Sequence, residues 1–528
     1  MRKKYSYLLL LVLLIAGMSG CDKNFVEVNT NPVQPLTLDP GYLFSNAEAS
    51  SAIPVYYYHI PLVQQIIHPF TGVAEGGNHN VVFDANASTT FDFLFNGTGN
   101  GATVTGVTTT TVNGPVALLA EVIRKTKDSA ARSNLYNMAR ILKSYVFMIL
   151  VDTYGDVPYS QAGLGYLDGI NLPKYDDQAA IYDTLLNELS VATQALDPAK
   201  ATESGDLFYK GNIAQWKKLG YSLLLRAGMR YSKSDPARAQ QLVAAAYAGG
   251  TMQSNADNAY IRFSSTFNSP TGSWFQGTEK ANMYLGKPFV DSLIRTNDPR
   301  LSVIAVKYTN PGGTLAGSTP TVGTEDTARA DQIGMPFGYS DATISTAPGF
   351  PGKAVTGWKY SQINRRTLGR IDIPDFLVTY AQTQLLIAEA AQRGWITGSP
   401  ATFYNAGVQA HMDQMKVYDA SANIPAASQT AWLTANPYDP ANALQQINTQ
   451  YWIASFLDGT EAWANFRRSG YPSLAPNPYP GADPAVKGAF VHRLTYPVRE
   501  ASVNTANYNA AVTHMGPDNL ATHVFWDK

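Results

Sequence analysis

From Leu135 to Ala454 one pattern recurs: apolar residues fall on one face of a 3.6-residue period, and helix start and stop signals stand between the stretches. Leu135, Met138, Leu142, Tyr145 and Ile149 share a face, as do Ile181, Leu185, Leu189, Ala192 and Leu196 after a possible N-cap at Asp176 or Asp177. Trp216, Leu219, Leu223 and Ala227 form a third stripe. Asp235-Pro236 can open the next helix and Gly249-Gly250 can end it, since glycine takes the left-handed conformation at little cost. Ser399-Pro400 and Asp439-Pro440 repeat that opening. Leu377 to Arg393 is alanine-rich and stops at Gly394, and Leu444, Ile447, Tyr451 and Ala454 form a last stripe before Gly459. The expected fold is therefore mainly α, a scaffold of stacked helical hairpins. No clean repeat of about 34 residues emerges, so periodicity alone does not define a solenoid.

Three stretches break the pattern: Asn96 to Gly114, rich in Gly, Thr and Asn; Ser264 to Ile373, with Pro311-Gly312-Gly313 and Pro348-Gly349-Phe350-Pro351-Gly352; and the proline-rich tail after Gly470. Long irregular segments in a compact domain usually carry function, so these are expected to lie over the scaffold as excursions, about 264–373 and 471–528.

At the N-terminus Arg2, Lys3 and Lys4 precede an apolar run from Leu8 to Ile15, then Met18-Ser19-Gly20-Cys21. A membrane span needs about 20 apolar residues and a signal-peptide core about 7 to 15, so this run reads as a secretory signal. Cys21 is the only cysteine, which rules out an intramolecular disulfide. Its setting resembles a bacterial lipobox, which implies cleavage before Cys21 and lipidation of its thiol. The expected layout is residues 1–20 as a removed signal, 21–45 as lipid anchor and extended segment, and 46–528 as a single helical domain.

With 39 basic and 40 acidic residues, the chain has no electrostatic case for nucleic acid. The histidines, His59 and His68 among them, lack zinc-hydrolase spacing, and no G-x-S-x-G, P-loop or Rossmann fingerprint is present. Asp152 and Asp156 flank Thr153-Tyr154-Gly155, a spacing that reads as turn architecture sooner than as paired catalytic carboxylates. Glu389 reads as a structural hydrogen-bonding group, and Arg467 and Arg468 as partners of helix-terminal carbonyls sooner than ligand grips. The reading is no enzyme, no cofactor and no metal.

Aromatic clusters are the better lead, because a ring offers a flat apolar face that suits a sugar or peptide. Candidates are Tyr56-Tyr57-Tyr58; Phe91, Phe93 and Phe95, whose alternation suggests a short half-buried strand; and, in the long excursion, Trp274-Phe275, Tyr284 and Trp358.

Several segments together resemble the SusD-like (SusD/RagB) family of outer-membrane nutrient-binding lipoproteins, particularly its second large subgroup. They are Phe25-Val26-Glu27-Val28-Asn29, Asp152-Thr153-Tyr154-Gly155-Asp156-Val157-Pro158-Tyr159, Tyr209-Lys210-Gly211-Asn212, Asp298-Pro299-Arg300-Leu301, Gly334-Met335-Pro336-Phe337-Gly338, and Arg467-Arg468-Ser469-Gly470-Tyr471-Pro472. The resemblance implies tetratricopeptide-like helix pairs and a place on the outer membrane, lipid-anchored and facing the exterior. It also implies a SusC-like TonB-dependent transporter over which the protein sits as a lid, and a glycan or, less often, peptide ligand. Ligand contacts are then expected around Glu75 to Asn100 and Ser264 to Trp358, with Trp274, Phe275, Tyr284 and Trp358 as stacking rings and Asn78 and His79 as hydrogen-bonding partners. A surface glycosidase and a free-standing adhesion or scaffold lipoprotein are the alternatives.

Overall fold

The computed structural model describes residues 38–52, 59–69, 87–97, 114–315, 318–476, 478–480 and 483–527. Cys21 and the signal segment, Tyr56-Tyr57-Tyr58, Asn78 and His79 lie outside the described residues.

The first half of the body contains α1 Pro40–Ser51, α2 Thr89–Asn96, α3 Pro115–Thr126, α4 Ser133–Tyr154, α5 Gln178–Ala195, α6 Ile213–Arg230 and α7 Pro236–Gly249. Two shorter helices, α8 Pro270–Gln276 and α9 Lys287–Arg295, follow in the long excursion. The second half contains α10 Tyr380–Gln392, α11 Pro400–Tyr418, α12 Ala426–Ala435, α13 Ala443–Ala454 and α14 Gly459–Ser469; α15 Val498–Val503 and α16 Thr505–Met515 close the chain. Sequential neighbours pack as hairpins, α3 on α4, α4 on α5, α5 on α6, α6 on α7 and α10 on α11, and α10 also packs on the more distant α13. The mainly α, tetratricopeptide-like scaffold is thus the observed architecture.

The caps act where the sequence places them. Asp177 accepts from the Ala180 N–H, Asp235 from Arg238 and Ser399 from Thr402, each satisfying one of the orphan donors of a first turn. Gly250 ends α7 at φ 97°. Hairpin contact is close where side chains are absent: a Cβ on Gly220 of α6 would stand 1.9 Å from Thr193 Oγ1 on α5, so this crossing requires glycine.

Several expectations are corrected. Phe91, Phe93 and Phe95 lie on helix α2 and not on a strand; Phe91 and Phe95 pack across one turn with ring centroids 4.5 Å apart and planes tilted by 40°, and Phe91 and Phe93 are buried. Leu377 and Val378 belong to a strand, and α10 starts only at Tyr380 because Thr379 and Gln382 form a reciprocal capping box. The segment read as extended to residue 45 is helical from Pro40, where Asp39 caps the first turn. The tail read as irregular contains α15 and α16, and the long excursion contains α8, α9 and short strands. The caps there, Ser269 for α8 among them, stand among prolines and glycines that mask the helical signal.

The strands are β1 Ile66–Ile67, β2 Val157–Pro158, β3 Tyr175–Asp176, β4 Ala259–Ile261, β5 Tyr284–Leu285, β6 Ala305–Tyr308, β7 Glu325–Asp326, β8 Gln362–Ile363 and β9 Asp375–Val378. All pair antiparallel in small sheets: β1 with β5, β2 with β3, β4 with β9, and β6 between β7 and β8. Their role is to tie distant segments to the helices.

Several charged groups in the core are held as partnered sets. Arg230 of α6 bonds Glu461 at 2.6 Å and Asp152 at 3.1 Å, while Arg468 of α14 meets Glu389 of α10 at 2.7 Å. Removing one partner of such a pair leaves a desolvated charge and costs about 3–5 kcal/mol. Among the described residues no helix is long and apolar enough to cross a membrane.

Candidate ligand-binding face

The pairing of β1 with β5 sets Ile67 opposite Tyr284 and lays the 59–69 segment against the long excursion. The contact is tight because residue 286 is glycine: a Cβ there would fall 2.1 Å from the Gln64 carbonyl oxygen. Gly286 N–H donates to Gln65 O at 2.9 Å, and Asp341 N–H donates to Pro69 O at 2.6 Å.

On this junction stands a small aromatic core separate from the main one. Ile67, Tyr284, Met335, Ile344, Ala347 and Tyr360 are buried, and Phe337, Tyr339, Phe350 and Trp358 pack on it half-buried. The Tyr284 hydroxyl donates to Ala281 O at 2.5 Å and accepts from the Trp358 N–H at 2.9 Å, and the two rings lie 5.7 Å apart. Gly357, at φ 67°, permits this approach, since a Cβ there would meet the Tyr284 hydroxyl at 2.2 Å. Burial raises the Tyr284 phenol far above its ordinary range and pushes Tyr360 up to about 12, so both stay neutral hydroxyls.

Trp274 is placed by α8. Ser269 Oγ accepts from the Gly272 N–H at 2.9 Å and donates to Asp375 Oδ1 at 2.8 Å, and Thr271 donates to the other Asp375 oxygen at 3.3 Å. Burial pushes the Asp375 carboxyl up to about 7 against those two hydroxyl bonds. Trp274 comes out half-buried, its ring 5.4 Å from that of His68, whose basicity burial lowers to about 3.

Of the rings named from sequence, the structure brings Tyr284 and Trp358 together and puts Trp274 on His68, beside the point where the chain enters the 70–86 segment. Phe275 and Tyr284, at 2% and 0% exposure, cannot be stacking surfaces here: the helix turns Phe275 into the main core, and the two hydrogen bonds of Tyr284 lock it beneath Trp358. Both are supports. Asn78 and His79 lie outside the described residues. Sequence reasoning missed Phe337, Tyr339, Phe350 and Tyr360, although Phe350 stood in a noted proline-glycine run and Phe337 in a segment that carries the family resemblance.

The acidic and basic constellations are committed to architecture. Asp152 accepts from Arg230 Nε at 3.1 Å, from Trp526 Nε1 at 2.9 Å and from the Tyr182 hydroxyl. Asp156 accepts from the Gln178 N–H at 3.0 Å and bonds His514 Nδ1 at 2.7 Å. Glu389 is filled by Arg468, Arg393 and Asn448, which hold its carboxyl down at about 2 despite the opposing effect of complete burial. Arg467 donates to the carbonyls of Asp152, in the last turn of α4, and His492, with its guanidinium 3.8 Å from the centre of the Trp463 ring. Two groups could hold a metal among the described residues: Asp156, Asp177 and His514; and His492, His523 and Asp527.

The chain is thus a helical-hairpin scaffold that carries a partly buried aromatic cluster on a long excursion. The chain belongs to the second SusD-like family, described as starch-binding and associating with the outer membrane, whose model matches residues 107–497. Among solved structures it is similar to a chitin-binding protein (29% identity, TM-score 0.77, 93% of this chain and 100% of the other). It is also similar to a SusD-like protein of Bacteroidetes AC2a (25% identity, TM-score 0.76, 93% and 100%). A SusD homolog from Bacteroides uniformis shares the fold at 23% identity and TM-score 0.71, over 93% of this chain and 99% of that one. Among curated proteins no sequence matches significantly. Membership supports a nutrient- or glycan-binding role at the outer membrane.

Proposed function

We propose that the protein is a surface lipoprotein, anchored through Cys21, that captures an oligosaccharide on the aromatic face of its long excursion and acts as the lid of a SusC-like TonB-dependent transporter. The observation that carries the binding part is the grouping of partly buried Phe337, Tyr339, Phe350 and Trp358 on a buried base that includes Ile67, with Trp274 on the adjoining His68. Sugar rings stack their C–H faces on such surfaces, and neutral tyrosine hydroxyls suit neutral ligands. The similarity to a chitin-binding protein makes β-linked N-acetylglucosamine oligomers the first ligands to try, with starch oligomers second from the family description. The protein acts by binding and not by hydrolysis.

Calorimetric titration of chito- and malto-oligosaccharides into the mature, unlipidated chain tests this. Saturable binding that Trp358→Ala weakens about tenfold or more, without new reducing ends after long incubation, is the expected result. Binding unchanged by Trp358→Ala and Phe337→Ala would place the ligand elsewhere, and product formation would favour the glycosidase alternative.

A further inference from the structure

We propose that His492, His523 and Asp527 form a binding site for one divalent transition-metal ion of the zinc type, which staples the C-terminal segment to the body. The three residues come from two chain segments that meet at the surface. His492 Nδ1 lies 2.7 Å from Asp527 Oδ2, and His523 Nδ1 lies 3.6 Å from the same oxygen and 2.5 Å from the Asp527 carbonyl oxygen. Two imidazole nitrogens, a carboxylate oxygen and a main-chain oxygen thus gather on one spot. With bonds of about 2.1 Å, tetrahedral ligand atoms stand about 3.4 Å apart; the 3.6 Å pair already matches that spacing, and the two hydrogen-bonded pairs, at 2.7 and 2.5 Å, open as the ion displaces their protons. A mixed nitrogen and oxygen set suits zinc, cobalt or nickel better than magnesium or calcium.

The donors are held by their surroundings. The main chain of His492 is bonded on both sides, its N–H to Leu520 O at 2.8 Å and its carbonyl from Arg467 Nη1 at 2.5 Å. Trp526, fully buried and donating to Asp152, fixes the residue before Asp527, so the Asp527 carboxylate is presented from a buried position. His523 is the adjustable ligand, with its side chain 47% exposed. The two imidazoles stack with centroids 3.6 Å apart and planes 28° from parallel, so His523 must turn about its side-chain bonds for both nitrogens to point at one ion. Its exposure leaves room for that turn and for water on the open side. The nearby Arg467 cation opposes the ion, and the Asp527 charge offsets it.

The other His–carboxylate group does not share this arrangement. His514 reaches Asp156 with Nδ1 at 2.7 Å and Asp177 with Nε2 at 3.2 Å, on opposite edges of the ring. One ion could meet only one of those nitrogens, and a protonated imidazole bridging two carboxylates fits better. That contrast supplies the control.

The test is titration of the metal-free full chain with zinc chloride by calorimetry and with cobalt chloride by visible absorption, in a non-coordinating buffer near pH 7.5. The expected result is one equivalent of Zn2+ bound in the micromolar range, a cobalt spectrum typical of nitrogen and oxygen ligands, and a zinc-dependent rise in melting temperature. His523→Ala, on a half-exposed side chain, and Asp527→Asn should each weaken zinc by about tenfold or more, while His514→Ala leaves it unchanged. Binding should weaken on acidification as protons compete for the imidazoles. Absence of saturable binding up to about 1 mM, which corresponds to only about 4 kcal/mol, would overturn the proposal, as would binding that survives His523→Ala and is lost in His514→Ala.

Discussion

Replacing Arg468 by methionine tests whether the buried ion pair between α10 and α14 holds the second half of the scaffold together. The guanidinium donates to both Glu389 oxygens, at 2.8 and 2.7 Å, and also bonds Asn448, Asn465 and Ser232. Without it, Glu389 would keep Arg393 and Asn448, but a fully buried carboxylate would have lost its main compensating charge. The carboxyl falls from 4.5 to about 2 on folding, a difference corresponding to about 3 kcal/mol. Breaking a buried pair costs about 3–5 kcal/mol by a separate route, so the two figures agree. The sign follows from the direction: with the folded value depressed, this stability is present above the unfolded pKa of 4.5 and is lost as pH falls toward about 2. Urea denaturation followed by tryptophan fluorescence at neutral pH should show Arg468→Met lowering the midpoint at unchanged slope. The loss from wild type to variant should shrink as the pH drops below 4.5. The paired change Glu389→Leu with Arg468→Met should recover part of the loss, because removing both charges leaves no orphan. An Arg468→Met variant within about 0.5 kcal/mol of wild type, or a loss independent of pH, would refute the reasoning.

Other expectations follow from the same packing. Gly220→Val should destabilise by about 1–3 kcal/mol or more in thermal melts, because even a Cβ would stand 1.9 Å from Thr193 Oγ1. Glu48 is buried against Asp206 and its carboxyl is raised well above 4.5, chiefly by burial, so stability falls as pH rises from 4.5 through the folded value; Glu48→Gln should remove that slope and raise the melting temperature at alkaline pH. His514 has its basicity raised by the Asp156 hydrogen bond, so its contribution is complete below about pH 6.5 and lost as pH rises through the folded value; His514→Ala should flatten that dependence in the α16 region, read by hydrogen exchange. Cys21→Ser should release the protein from the membrane fraction without changing ligand affinity.

The helices were legible because each buries a stripe and is bounded by residues whose conformational preference is local: Asp177, Asp235 and Ser399 bond their own first turns, and Gly250 and Gly394 adopt positive φ at the ends. Phe91, Phe93 and Phe95 misled because α2 is short and buried on several sides, so a two-residue alternation and a helical stripe both fit it. The excursion was legible as an excursion but not as a site. Trp358 and Tyr284 meet through a hydrogen bond across 74 positions, and Ile67 meets Tyr284 through strand pairing, neither of which leaves a local pattern. Phe275 looked like a loop ring beside turn residues, yet Ser269 turns those residues into a helix start that rotates it inward. The family motifs were strong because they mark such buried joints: Asp152, Tyr154, Asp156, Arg467 and Arg468 all hold segments distant in sequence.

The most direct test of the central claim is to purify the tagged full-length protein from detergent-solubilised outer membrane and identify by mass spectrometry what comes with it. The account predicts a large TonB-dependent barrel in near-equal amount, retained when the aromatic face is altered by Trp358→Ala. Recovery of the protein alone, under conditions that preserve other outer-membrane complexes, would contradict the lid mechanism.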